Sequence, residues 1–219
     1  MTLSSTQIKA HLITMGCAKN EVDSRKMSER LRGAGIALAD APEDADVIII
    51  NTCCFIQEAT EESLAMIFDM LDLDKVAKGS TRIIVAGCMP ARYKEDLVQS
   101  LPEVKTFVPC SKEDDIAQIV LGLFPDRAPK CKPVPEAWKH VSPGGPSAYV
   151  KIADGCDRFC SFCAIPYIRG PFRSFAYEDI HEEVSRLVER GVKEIVLIAQ
   201  DTGRWGEDQD PELDLAWLL

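Results

Sequence analysis

The run Val47-Ile48-Ile49-Ile50, entered through Asp46, constrains this chain more than any other feature. Four consecutive apolar β-branched residues leave no polar face for water. Such a strand is covered on both sides, which is the condition of a parallel sheet wrapped by helices. A second run, Arg82-Ile83-Ile84-Val85-Ala86, has the same character. Residues 10–15 read as a third, shorter strand and 105–108 as a fourth. Between them the apolar spacing turns helical: Val22, Met27 and Leu31 within 22–34, then Ala59, Leu64, Ile67, Leu71 and Val76 within one long helix over 57–77. Pro90 introduces a helix to about Ser100, and 113–123 reads as a closing helix. This β-α-β-α rhythm predicts an α/β fold with a parallel sheet.

The rhythm breaks at 125–147, where Pro125, Pro129, Pro133, Pro135, Pro143 and Pro146 accompany Gly144-Gly145. That composition reads as a linker. It then restarts with a strand over 148–153, a helix over 176–190, a strand over 194–199 and the start of a third helix. The expected organisation is a domain over 1–124, a Pro-rich linker over 125–147, and a second, incomplete α/β domain over 148–219.

The 219 residues include 46% hydrophobic and 27% charged side chains, which excludes a disordered or collagenous chain. No uninterrupted apolar stretch reaches membrane-spanning length. The segment Met1–Lys9 lacks the apolar core of a secretory signal, so the cytosol is the expected compartment, with no membrane partner. Against 25 Lys and Arg stand 35 Asp and Glu, a net charge of −10. Phosphate binding needs clustered cations, so the balance argues against autonomous nucleic-acid binding.

Nine cysteines are many for such a chain. Without a secretion signal they point to metal or catalysis rather than to disulfides. Cys156, Cys160 and Cys163 form CxxxCxxC on a loop directly after a strand. Three thiolates there can hold three irons of a 4Fe-4S cube, leaving the fourth iron open for chemistry. The competing reading is a structural zinc site, for which no nearby Cys or His supplies a fourth ligand; His140 and His181 are isolated. Cys17, Cys53 and Cys88 are distant in sequence, yet each follows a strand. In an open parallel sheet the carboxyl ends of the strands share one edge, where ligands bind. The three are candidate ligands of another 4Fe-4S cluster; taken singly, each also reads as an inert buried thiol. Cys54, Cys110 and Cys131 fit neither set and are expected to be non-ligands.

With these residues in view, the chain resembles the methylthiotransferase family of radical S-adenosylmethionine (SAM) enzymes. The resemblance rests on Cys156-x3-Cys160-x2-Cys163 followed by Ala164-Ile-Pro-Tyr-Ile-Arg-Gly170. It rests equally on Gly16-Cys17-Ala18-Lys19-Asn20, Asn51-Thr52-Cys53 and Gly87-Cys88, and it covers about His11 to Gly206. The segments 17–24, 51–56 and Gln200-Asp201-Thr202 are most similar to the branch that modifies ribosomal protein S-twelve, the RimO type. The tRNA-modifying branch is the alternative.

The resemblance implies two 4Fe-4S clusters and SAM as cofactors, and a barrel-like second domain. The cluster on Cys156, Cys160 and Cys163 would bind SAM at its open iron. An electron from an unidentified donor would cleave SAM to a 5′-deoxyadenosyl radical, which abstracts hydrogen from the β-carbon of an aspartate of the S-twelve protein. The site of Cys17, Cys53 and Cys88 would carry or donate the sulfur, and a second SAM would supply the methyl group.

Phe162 is a candidate to back the adenine, or simply packs. Gln200 is a candidate for SAM's amino group, or makes a strand-end hydrogen bond. Arg169 and Arg173 would meet the SAM carboxylate or substrate, or are merely solvated, and Glu58 and Glu62 read as solvated charges.

The chain departs from the family pattern at Phe175 after Ser174, at Ala199 before Gln200, and in length. Fewer βα units than a barrel needs follow the linker, and no TRAM domain follows them. A truncated chain is therefore expected. So is an exposed apolar patch around Trp217 and Leu218, with poor solubility. An inactive remnant or an iron-sulfur binding module stands as the reading of another class.

Overall fold

The computed structural model describes residues 7–127, 145–210 and 212–219. Cys131, His140 and most of the Pro-rich stretch lie outside the described residues. The chain falls into two compact units, Met1–Val141 and Ser142–Leu219.

The first unit is a five-stranded sheet of β1 (Lys9–Thr14), β2 (Ala37–Leu38), β3 (Val47–Thr52), β4 (Arg82–Gly87) and β5 (Thr106–Pro109). Its order is β2-β1-β3-β4-β5, and every pairing is parallel. That order belongs to doubly wound sheets, whose ligand crevice lies where the winding reverses, here between the carboxyl ends of β1 and β3. β3 is buried at all six positions, as its unbroken apolar run requires. Ala10, Val47, Ile49, Ile84, Ala86 and Val108 form one core with Met27 and Leu31 of α1 (Ala18–Gly33) and with Ile116 and Val120 of α5 (Ile116–Leu123). Ile48 and Ile50 are equally buried and point to the opposite face. That face belongs to α2 (Gln57–Leu71) and α4 (Cys88–Ser100), which contact β3 and β4 but add nothing to the first core.

Several expected boundaries change. The single helix over 57–77 is two, α2 and the short α3 (Asp74–Ala77), because Leu73 between them is extended (φ −63°, ψ 132°). α4 starts at Cys88, two residues before Pro90, and is interrupted at Lys94 (φ 45°). The closing helix begins as a 3-10 turn over Cys110–Asp115 and becomes α-helical at Ile116. The two-residue edge strand β2 is too short to carry an alternation in sequence.

The second unit has one βαβ crossover: β6 (Ser147–Lys151), α7 (Tyr177–Glu189) and β9 (Glu194–Ile198), with β6 and β9 parallel. The strand expected over 148–153 divides at the buried Ile152 into β6 and β7 (Ala153–Asp154). β7 pairs antiparallel with β8 (Arg173–Ser174), and α6 (Ile165–Arg169) lies between them in sequence. α7 carries Glu178 and Asp179 in its first turn, where the helix dipole favours them, and buries Ile180 and Leu187 on one face. Its core is completed by Ala148, Val150, Ile152, Val192 and Trp205. The third helix begun at the end is a 3-10 turn over Thr202–Arg204 followed by α8 (Leu215–Leu218), which Asp214 caps by accepting from the Trp217 N–H at 2.7 Å. Trp217 is half exposed and lies on Tyr177 and Trp205 at centroid distances of 5.0 and 6.1 Å, while Leu219 is 85% exposed. Among the described residues no helix is long and apolar enough to cross a membrane.

Candidate functional site

Parallel register sets the first site. Cys17 follows β1, Cys53 follows β3, Cys88 follows β4 and Cys110 follows β5, so four thiols share the carboxyl edge of the sheet. Cys53 and Cys88 are buried and Cys17 is exposed. The three expected ligands stand within electrostatic reach of one another. Burial pushes the Cys53 thiol up, and negative charge on Cys88 or Cys17 would push it further. Cys54 is fully buried and, through burial and then its proximity to Cys88, is pushed up to about 12. Cys110, expected to be a non-ligand, also stands next to the set: its Sγ lies 3.9 Å from Cys88 Sγ.

A buried polar scaffold holds this edge. Asn20 on the first turn of α1 donates through Nδ2 to Met15 O (3.0 Å) and Thr52 O (2.9 Å), and its Oδ1 lies 3.8 Å from Cys88 Sγ. Asn51 donates to Asn20 O (3.0 Å) and Ser24 Oγ (2.9 Å). Thr52 Oγ1 donates to Ala86 O (2.6 Å) and accepts from Met89 N (3.3 Å). Ser63 of α2 clamps Cys53, accepting from its N–H (3.1 Å) and donating to its C=O (2.9 Å). Asn20, Asn51, Thr52 and Ser63 are not among the candidates that the sequence singles out. The available signal is Asn51-Thr52, two polar residues ending an otherwise apolar buried strand. Gly16 (φ 89°) lies so close to Cys53 that a Cβ there would overlap Cys53 Cβ and come within 2.8 Å of its Sγ.

The second candidate site is the loop from Gly155 to Ala164. Gly155 (φ 77°) is pressed against the Gly170 and Pro171 backbone, and Cys156 N donates to Gly170 O (3.0 Å). Cys163 N donates to Cys160 O (3.0 Å), and Phe159 between the cysteines takes a left-handed φ of 47°. Cys160 is exposed; Cys156 and Cys163 are half-buried. Phe162 is 92% exposed, so its packing alternative does not hold.

Below the loop, Asp154 gathers the charges. It accepts from Lys151 Nζ (2.9 Å), Arg169 (3.2 Å), Gly155 N (3.0 Å) and Gln200 Nε2 (3.0 Å). Burial alone would raise its carboxyl, but Lys151 and Arg169 outweigh burial and hold it at about 2. The Arg169 side chain is 2% exposed, which overturns its reading as a solvated arginine. Gln200 makes the expected strand-end hydrogen bond, and its Oε1 is buried with no partner among the described residues. Arg173 is exposed and lies over the Phe175 ring at 5.5 Å; Lys151 lies 5.6 Å from the same ring. Glu58 and Glu62 are exposed, as expected of solvated charges.

Among the described residues no three Cys, His, Asp or Glu side chains converge on a point that would hold a single ion. A cluster asks for something else, since each cysteine binds its own iron at a separate corner of the cube. Three thiols on adjacent strand ends fit that demand, with a glycine cradle and a hydrogen-bonded buried scaffold in which Asn51 Oδ1 alone is left buried without a partner among the described residues. The chemistry of the three-cysteine loop fits it equally, with backbone fixed at Cys156 and Cys163.

Residues 9–109 match the family described as Uncharacterized protein family UPF0004. The chain is 40% identical to a protein named ribosomal protein uS12 methylthiotransferase RimO from Natranaerobius thermophilus, over 97% of this chain and 49% of that protein. It is 42% identical to the protein of the same name from Aquifex aeolicus, over 97% and 46%. For the one from Desulfotalea psychrophila the values are 42%, 97% and 49%. The chain spans about half the length of the curated relatives it matches. Residues 9–109 thus match UPF0004, and along nearly all of its length the chain is similar to about half the length of proteins named RimO methylthiotransferases.

Proposed function

We propose that this chain carries both cluster sites of a radical SAM methylthiotransferase acting on an aspartate of ribosomal protein uS12. The single observation that carries the reading is the gathering of Cys17, Cys53 and Cys88 at one sheet edge of the first unit, in a chain whose second unit carries a CxxxCxxC loop. The similarity to proteins named for this activity supports the substrate. Such a function belongs in the cytoplasm.

Cys17, Cys53 and Cys88 would hold one 4Fe-4S cluster, and Cys156, Cys160 and Cys163 the other. When bound, the loop cluster supplies the electron for reductive SAM cleavage and the sheet-edge cluster a place for the sulfur to be carried. The chain's own residues do the positioning. Asn20 and Ser63 fix the backbone on either side of the first crevice, and Gly16 lets Cys53 approach. Asp154 stays ionised and locks Lys151 and Arg169 under the loop. The buried Gln200 Oε1 is an acceptor poised for an ammonium donor, such as the amino group of SAM. Phe162 offers an exposed aromatic face for the adenine.

The test compares cells with and without the gene that encodes this chain, by mass spectrometry of the small-subunit ribosomal protein and of tRNA nucleosides. The methylthio group is expected to disappear from the aspartate while tRNA is unchanged. Its loss from a tRNA adenosine, with the ribosomal protein intact, would overturn the substrate.

A further inference from the structure

The structure points to Cys110 as the redox partner of Cys88: in the cluster-free protein a disulfide joins Cys88 to Cys110 and withdraws Cys88 from the three-thiol set. The second half of this inference rests on the reading of Cys88 as a cluster ligand.

Register brings the two cysteines together. Gly87 and Pro109 are the last paired residues of β4 and β5. Cys88 and Cys110 follow directly, as the first residues of α4 and of the 3-10 turn after β5, so they leave the sheet side by side. Neighbouring strands lie about 4.8 Å apart, inside the roughly 4.4–6.8 Å that a disulfide requires between α-carbons. The two sulfurs already face each other at 3.9 Å.

Accessibility sets the order of events. Cys110 is partly exposed and Cys88 is buried. A low-molecular-weight disulfide such as glutathione disulfide reaches Cys110 first. The Cys110 thiolate attacks one sulfur of that disulfide, forming a mixed disulfide and releasing one glutathione thiolate. The Cys88 thiolate then attacks the Cys110 sulfur, forming the Cys88–Cys110 bond and releasing the second glutathione thiolate. Two protein thiols are oxidised by two electrons, one glutathione disulfide is reduced, and the two protons go to the departing thiolates. A dithiol reductant reverses the sequence and returns Cys88 to the edge with Cys17 and Cys53. Bound to iron, Cys88 would not react, so the couple acts when the site is empty.

The experiment treats the metal-free chain with glutathione disulfide, blocks remaining thiols by alkylation and maps linked peptides by mass spectrometry. A Cys88–Cys110 peptide pair is expected, absent from Cys110→Ser. Iron uptake is then measured on oxidised and re-reduced chains in parallel with Cys110→Ser, so that oxidation elsewhere is common to both. The oxidised chain is expected to take up about four fewer irons than oxidised Cys110→Ser, one cluster's worth, and reduction restores them. If Cys88 is instead linked to Cys17, Cys53 or Cys54, or stays a thiol, while Cys88→Ala still lacks one cluster, the inference falls and the ligand reading stands. If the disulfide forms yet iron uptake is unchanged, both by oxidation and in Cys88→Ala, the ligand reading falls and the gating with it. A loss of about four irons in reduced Cys110→Ser would make Cys110 a ligand and overturn the proposal.

Discussion

Asn20 makes the largest single demand on the first site. It is fully buried, and its amide reaches the chain leaving β1 at Met15, the chain leaving β3 at Thr52, and the sulfur of Cys88. Asn20→Ala would leave two buried carbonyls short of a donor. The expected cost is about 2–3 kcal/mol, within the range for orphaned buried polar groups, read as a lowered urea midpoint with an unchanged slope. Gly16 makes a different demand, for room. Gly16→Ala adds a Cβ where Cys53 already stands, at a φ of 89° that side chains rarely adopt. Iron uptake is expected to fall by about four per chain, with the loop cluster retained; unchanged uptake would show that Cys53 need not hold its place. The cysteines are legible because each ends a strand or sits in a tight spacing. Asn20 and Ser63 are not, because nothing in sequence says which polar residue of a helix turns back under a strand end. The burial of Arg169 escapes the sequence for the same reason: it depends on Asp154, fifteen residues earlier, reaching it across the turn of the loop.

Among elements, the buried strands are the most legible and the helix boundaries the least. The apolar runs of β3 and β4 admit one placement, whereas the break between α2 and α3 turns on the local conformation of Leu73, which no periodicity records. The end of the first unit is tied back by Arg127, which makes a two-pronged ion pair with Asp46 at 2.8 and 2.9 Å just before β3. Burial opposes ionisation of Asp46, but the hydrogen bonds from Arg127 and from Lys9 N outweigh it and hold the carboxyl below its usual range. A lowered folded-state value contributes stability that is complete above the unfolded carboxylate range, near 3.9, and is lost as pH falls through the folded value. Asp46→Asn is accordingly expected to cost up to about 1 kcal/mol near neutrality, and the gap to the parent chain should close in acid. A gap that widens in acid would contradict this.

In the second unit, Trp205 is completely buried between the βαβ core and α8, with Nε1 donating to Phe175 O at 3.1 Å. Trp205→Ala is expected to cost about 3–5 kcal/mol, seen as a lower melting temperature followed by far-ultraviolet circular dichroism. Phe175, a departure from the family pattern, carries Lys151 and Arg173 over its ring, which a non-aromatic residue would not.

For the whole molecule, an α/β chain with a parallel sheet is legible from apolar runs and their spacing, and the structure has that sheet in the doubly wound order. The order itself is not legible, because strands as short as β2 leave no pattern and parallel pairing is set by contacts distant in sequence. The proposed cofactor set is argued from chemistry, through two groups of three cysteines, and not from geometry. The central claim is that the two groups hold one cluster each. Iron and sulfide per chain after anaerobic reconstitution test it most directly. The account predicts about eight of each, falling to about four in Cys17→Ala and in Cys156→Ala alike. Tightly held zinc without sulfide, or an iron content that neither substitution lowers, would contradict it.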